Sequence, residues 1–219
     1  MMTTLFDLLR NTIKGTNDTE ETFAIWYNDN DRGDDEEFAF GSLWEEAGII
    51  AYYLRVGWNL NKGDRVVLCY SFGGVQFLTS FLGCIRAGVI AVLVPPPSRP
   101  FTKSLPKMTN VVNNCNAKLI IIDSIVQTMR YADRANNNSK SRQFWPNSAL
   151  FKAHDFQGQI GENEGSVLSF YDSSILPTDL AFLQYTSQNT EYMYTKEDMV
   201  TFDTLESNAR SIIWPVLIV

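Results

Sequence analysis

A chain of 219 residues with 45% hydrophobic and 20% charged residues has the apolar content of a folded globular protein and not of a disordered one. At this length folding buries about 70% of the surface that the unfolded chain exposes, so one large or two small domains are allowed. The formal charge of −7, from 18 basic and 25 acidic residues, argues against nucleic acid as a partner, because phosphate backbones select a basic face. Cys69, Cys84 and Cys115 sit in apolar runs with no CxxC spacing and read as buried, reduced thiols of a cytoplasmic protein. His154 is the sole histidine, which leaves a zinc site without a ligand cluster. Met1–Lys14 scatters polar residues through what would be the apolar core of a signal peptide. The apolar stretch Ile212–Val219 is far short of the roughly 20 residues that span a membrane.

In chain order, Leu5, Leu8, Leu9 and Ile13 fall on one helical face, with Thr4 as its cap. Phe23–Tyr27 reads as a strand. Asp29–Glu37 is an acidic run that lacks calcium-loop spacing and fits a solvated turn. Phe38–Phe40 is expected as the return strand. Ser42 and Glu45 have capping-box spacing, opening a helix with Leu43, Ala47, Ile50, Ala51 and Leu54 on one face and Gly57 as its stop.

Three strand–helix alternations follow. Arg65–Tyr70 is nearly continuous in apolar residues, as expected of a parallel strand covered on both faces. Phe77, Leu78, Phe81, Leu82 and Ile85 recur at helical spacing up to Gly88. Val89–Val94 is a second buried strand, stopped by Pro95, Pro96 and Pro97, which cannot donate to a ladder. Leu105, Met108, Val111 and Val112 predict a helix. Leu119–Asp123 is a third strand, with Ser124 capping the helix after it. Asn136–Arg142 is a polar connector. Phe144–Ser173 is weakly patterned, with one short strand near Leu150. Asp179–Tyr185 is a further strand, its polar successor runs to Lys196, and Thr204–Ile213 is expected to be helical. This alternation predicts an α/β fold, a mostly parallel sheet with helices on both faces.

Ligands of such sheets sit at the carboxyl ends of the strands. Ser71-Phe72-Gly73-Gly74 lacks G-x-G-x-x-G, and no acidic residue ends the second strand, so a loop that caps a helix fits it better than a dinucleotide site. Arg99, in the proline-rich Pro95–Pro100, could face an anion, but a stiff exit from the strand is the better reading of the segment. Thr186, Ser187 and Thr190, followed by Lys196, form a hydroxyl and ammonium set of the kind that holds a polyphosphate; a polar connection would share that composition. No Walker motif and no G-x-S-x-G elbow occurs, and a nucleophilic triad would depend on His154 alone.

Taken together, Phe38-Ala-Phe-Gly-Ser-Leu, Lys62-Gly-Asp-Arg-Val, Phe81-Leu-Gly-Cys-Ile-Arg-Ala-Gly-Val-Ile-Ala-Val with its three prolines, and Asp179-Leu-Ala-Phe-Leu-Gln-Tyr-Thr-Ser resemble the N-terminal part of adenylate-forming enzymes, most closely the fatty-acyl-AMP ligases. The resemblance extends from about Leu5 to Asn208. It implies a fatty acid as substrate, ATP and Mg2+ as cofactors, acyl-AMP and pyrophosphate as products, and an acyl carrier protein as acceptor. It also implies that residues 1–219 are an incomplete N-terminal AMP-binding domain. The adenine pocket, the magnesium-binding acid and the C-terminal domain with its catalytic lysine lie downstream in the family, so no catalytic residue is assigned in this chain.

The family's phosphate loop reads T-S-G-[ST]-T-G-x-P-K-G. Thr186, Ser187 and Thr190 match it, and Lys196 aligns with the loop lysine after two extra residues. Gln188, Glu191 and Glu197 stand where the family has glycines, and Phe202 where it has a histidine. Glycine lets backbone N–H groups close on phosphate oxygens, which Gln and Glu do not. The expectation is therefore a fatty-acyl-AMP ligase-like chain with a degenerate phosphate loop that is inactive alone. A non-catalytic acyl- or protein-binding module of the same fold is the alternative.

Overall fold

The computed structural model describes residues 22–26, 36–71, 74–137, 139–156, 167, 170–186 and 196–208. The expected first helix, most of the acidic turn, the Phe72-Gly73 pair and the segment Ile212–Val219 lie outside them. Strands β1 (Thr22–Trp26) and β2 (Glu36–Ala39) pair antiparallel as a sheet of their own. Helix α1 (Phe40–Tyr52) starts directly from β2, with Ala39 at its N-cap and no side-chain cap. The expected Ser42–Glu45 capping box is therefore absent. The strand runs into the helix early enough to place Ser42 inside the first turn, where both residues are exposed. The apolar face is as read: Leu43, Ala47, Ile50 and Ala51 are buried. A π-turn over Tyr53–Gly57 buries Leu54 and ends at Gly57.

The principal sheet has six strands among the described residues, ordered β6-β5-β3-β4-β7-β8. Strands β3 (Arg65–Cys69), β4 (Ile90–Leu93), β5 (Leu119–Ile122), β6 (Leu150–Ala153) and β7 (Leu180–Thr186) are parallel, and β8 (Lys196–Thr201) is antiparallel to β7. Strand β8 was not legible in sequence. It is an edge strand of charged and polar residues (KEDMVT), with Met199 65% exposed, so no apolar alternation marks it.

Helices α2 (Val75–Ala87), α3 (Phe101–Asn114) and α4 (Ser124–Ala135) connect the parallel strands. Alternate strand residues divide the core. Val66, Leu68, Ala91 and Ile121 pack against Ile50 and Ala51 of α1, Leu54 of the π-turn, and Cys84 and Ala87 of α2. On the opposite face, Val67, Cys69, Val92, Ile120 and Ile122 pack against Leu105, Met108, Val111 and Val112 of α3, and Val126 of α4. Helix α4 is capped by Asp123, whose Oδ1 accepts from the Val126 N–H at 2.7 Å, and not by Ser124. Asp123 is the last residue before the helix, so only its side chain can turn back onto the first free N–H groups.

Helix α2 departs most from its pattern. Phe77, Leu78, Phe81 and Leu82 are half-buried, and the fully covered face is Thr79, Ser80, Gly83, Cys84, Ile85, Arg86 and Ala87. The helix is sandwiched between the sheet and α1, so small residues are needed at the contact. A Cβ at Gly83 would stand 2.6 Å from Ile50 Cγ2 and 3.3 Å from the Ala47 carbonyl oxygen. Arg86 is 1% exposed. Its guanidinium lies 4.1 Å over the Trp44 ring, its Nε donates to the Phe170 carbonyl at 3.0 Å, and its Nη1 donates to the Trp44 carbonyl. Burial lowers its pKa to about 10. The helix ends at Gly88 in the left-handed region (φ 66°), with the paired bonds Gly88 N–H to Ile85 and Val89 N–H to Cys84 that close a Schellman turn.

The Lys62-Gly-Asp-Arg-Val motif ties these layers together. Lys62 pairs with Asp179 at 2.6 Å, anchoring the start of β7, and Asp64 pairs with Lys118 at 2.8 Å, anchoring the start of β5. Burial opposes ionisation of Asp179, but hydrogen bonds from Lys62 and the Leu176 N–H outweigh it and hold that carboxyl below its usual value.

Two outcomes are expected. Gly83→Val forces α1 and α2 apart and is expected to lower the unfolding free energy by about 3 kcal/mol in urea denaturation, with partial recovery when Ile50→Ala is added. The thiols of Cys69, Cys84 and Cys115 are buried. Burial, reinforced by the Asp123 charge, pushes the Cys69 thiol from 9.0 up to about 12, and burial pushes Cys84 up further still. At pH 8 a thiol-specific disulfide reagent is therefore expected to label none of them until the chain unfolds. The stability that the Cys69 and Cys84 thiols contribute is whole below pH 9 and falls as pH rises toward 12, because unfolded thiols ionise first.

Candidate functional site

The connection after β3 rises through α2 on one face, and the connection after β4 runs through α3 on the other. The two loops part between the carboxyl ends of β3 and β4, and this is the switch point at which open α/β sheets bind ligands. A cavity of 290 Å³ occupies the place, lined by Leu68 of β3 and Tyr70 just after it, Phe77 from α2, Leu93 of β4 with Val94 and Pro95 just after it, and Gln184 and Tyr185 from β7. Its floor is apolar. Polar residues line it from two sides, Tyr70 after β3 and Gln184 and Tyr185 on β7.

Three residues that directly follow parallel strands shape this edge: Tyr70 after β3, Asp123 after β5 and His154 after β6. The Asp123 Oδ2 accepts from the Ser71 N–H at 2.6 Å while its Oδ1 caps α4, so one carboxylate fixes the exit of β3 and the entry of α4. The Tyr70 hydroxyl lies 2.6 Å from Ser80 Oγ on α2 and 2.9 Å from His154 Nδ1. His154 Nε2 lies 3.2 Å from Glu46 Oε1 on α1. One neutral tautomer satisfies the whole set: Nε2–H donates to Glu46, Tyr70 donates to Nδ1 and Ser80 donates to Tyr70. Burial drives the Tyr70 phenol far above its ordinary pKa, so it remains a neutral hydroxyl.

Ser80, His154 and Glu46 thus come together as a Ser–His–acid set, with Ser80 Oγ 3.1 Å from Nδ1. Ser80 is 0% exposed and its hydroxyl is shared with Tyr70, so it meets no substrate. The network is a brace that holds β3, β6, α1 and α2 behind the cavity. Sequence reading missed it because Glu46, Ser80 and His154 are distant in the chain. The available signal was positional, a polar residue immediately after each apolar strand.

The sequence-derived phosphate set divides. Thr186 ends β7 and Lys196 begins β8, and they face each other as the last pair of the antiparallel ladder. Ser187 and Thr190, with Gln188 and Glu191, lie outside the described residues. Phe202 does not line the cavity: it is buried with Ile85 and Ala181 in a separate cluster. Arg99 flanks other cavities, one of 320 Å³ under the proline-rich exit of β4 and one of 700 Å³ between α3 and α4. Among the described residues, no group of three His, Cys, Asp or Glu could hold a metal ion, and no helix is long and apolar enough to cross a membrane.

Comparison with known proteins gives this geometry a context. The long-chain-fatty-acid–CoA ligase of Escherichia coli O6:H1 (strain CFT073) is 25% identical over 202 residues, 81% of this chain and 34% of that protein. The medium-chain-fatty-acid–[acyl-carrier-protein] ligase JamA of Moorena producens is 26% identical over 155 residues, 69% of this chain and 24% of that protein. The crystal structure of fatty acid AMP ligase from Legionella pneumophila superposes with a TM-score of 0.71 at 26% identity, covering 97% of this chain and 32% of that one. The chain thus spans about a third or less of the length of these relatives. The family of AMP-binding enzymes matches residues 13–190. The chain belongs to that family, the adenylate-forming superfamily, and has the fold of its N-terminal part.

Proposed function

We propose that this chain is the N-terminal part of a fatty-acyl-AMP ligase-like enzyme, which joins a fatty acid to ATP, releases pyrophosphate and passes the acyl group to an acyl carrier protein in the cytoplasm. The observation that carries the reading is the Thr186–Lys196 pair. It sets a hydroxyl residue and a cationic residue opposite each other at the carboxyl edge, beside the switch-point cavity. Hydroxyl and ammonium donors suit phosphate oxygens, so this pair fits the triphosphate of ATP, with Ser187 and Thr190 on the connection between them. ATP supplies the phosphoryl electrophile that the fatty-acid carboxylate attacks. Thr186 and Lys196 would hold its phosphates, beside the apolar floor of Leu68, Phe77 and Leu93. The described residues offer no magnesium ligand set.

The 219-residue chain alone is proposed not to form acyl-AMP. Glu191 brings negative charge to a loop that must accept negative charge. One such pair at about 4 Å and an effective dielectric of about 20 is worth roughly 4 kcal/mol, enough to offset the attraction of Lys196. The burial of Phe202, at the position of a family histidine, favours the second reading, a non-catalytic module that binds an acyl chain or a protein.

ATP–pyrophosphate exchange on the purified chain with long-chain fatty acids is expected to stay at background, and robust exchange would overturn the inactivity. Replacing Gln188 and Glu191 together with glycine is expected to tighten Mg-ATP binding at least tenfold by calorimetry, and Lys196→Ala to abolish that gain. An unchanged affinity would mean that the connection does not face phosphate.

A further inference from the structure

The geometry points to a second anion site, unrelated to the switch-point crevice, which takes a phosphate monoester group between α4 and the edge strand β6. A cavity of 460 Å³ opens there, with Arg130, Arg134 and Arg142 on its lining and Trp145 and Phe151 in its wall. Arg130 and Arg134 are four residues apart and share one face of α4, while Arg142 opens the short 3-10 turn Arg142–Phe144. The chain is acidic overall, yet no ion pair reaches any of the three among the described residues, where the four pairs present involve Arg55, Lys62, Lys118 and His154. Asp133, adjacent to Arg134 in sequence, is committed elsewhere: its carboxylate accepts from Ser139, Ser141 and the Trp145 Nε1–H.

Arg130 supplies the second observation. Its guanidinium lies 4.0 Å over the Phe151 ring, and its Nε is buried without a hydrogen-bond partner. An orphaned buried donor is costly, and native structures leave few of them. Burial, with the charge of Arg134 added to it, also makes the cationic form of Arg130 less favourable than usual. A like-charge cluster with an unsatisfied donor is stabilised by an anion, and the number of guanidiniums selects its charge. One carboxylate neutralises one arginine. A phosphate monoester carries about −1.5 to −2 and presents three acceptor oxygens to the guanidinium forks. Leu150 of β6 is 66% exposed and borders the same opening, so the phosphate is reachable from solvent on a small ester or on a phosphorylated segment of a partner protein.

The full 219-residue chain is titrated calorimetrically with inorganic phosphate, with a phosphoserine peptide and with acetate. Saturable phosphate binding is expected, weakened at least tenfold in Arg134→Ala/Arg142→Ala and unchanged in Lys196→Ala, with no measurable acetate binding. Arg134 and Arg142 are exposed, and an unchanged circular-dichroism melt shows that the double variant folds. Tighter binding of the peptide than of inorganic phosphate identifies a protein-borne group, and equal binding a free one; both support the site. Absence of phosphate binding, equal binding by the double variant, or loss only in Lys196→Ala overturns it. The last result assigns the phosphate to the β7–β8 connection and thereby also separates this site from the proposed ATP site.

Discussion

Three central parallel strands that must be covered on both faces are the constraint from which the rest of this structure follows. β3, β4 and β5 have no solvated face to give, so helices must pack above and below them. Right-handed crossovers then decide which helix goes where. α1 and α2 cover one face, α3 and α4 the other, and the chain crosses from the first face to the second through β4. The cavity at the carboxyl edge is a consequence of that change of face, and its walls are residues that finish the strands.

Polar residues hold this arrangement at the points where apolar packing alone would leave it loose. α2 lies between the sheet and α1, and its inner face is small and polar instead of aromatic. Gly83 lets α1 approach, Arg86 reaches the carbonyls of Trp44 and Phe170, and Ser80 joins Tyr70, His154 and Glu46. Each buried donor of the Ser80–Tyr70–His154 set finds an acceptor, so the network carries little desolvation penalty and fixes the orientation of the elements it joins. Asp123 does the same at the rim, serving the β3 exit and the α4 entry with the two oxygens of one side chain.

The Lys62-Gly-Asp-Arg-Val run, a motif of the family resemblance, has a structural task here. Lys62 and Asp64 pin the starts of β7 and β5 through Asp179 and Lys118. Conversely, the segment with the strongest functional implication departs from the family pattern. Gln188 and Glu191 replace glycines whose backbone N–H groups would approach phosphate, and Phe202 belongs to the core. The framework is thus kept where packing requires it, and the departures fall on the segment proposed to meet phosphate.

The order of parallel strands and helices, the buried faces of α1 and α3 and the Gly88 stop were legible in the sequence, because each rests on a short-range period or a single backbone preference. Strand β8 and the true inner face of α2 were not: an edge strand needs no apolar alternation, and a sandwiched helix answers to two neighbours at once. The sequence also indicated the hydroxyl and lysine set, whereas the pairing of Thr186 with Lys196 came from the ladder register. The Ser80–Tyr70–His154–Glu46 brace, the double duty of Asp123 and the arginine cluster beside β6 were decided by tertiary structure alone. Local patterns report what one element requires, but hydrogen bonds and charge balance depend on which distant side chains the crossovers bring together.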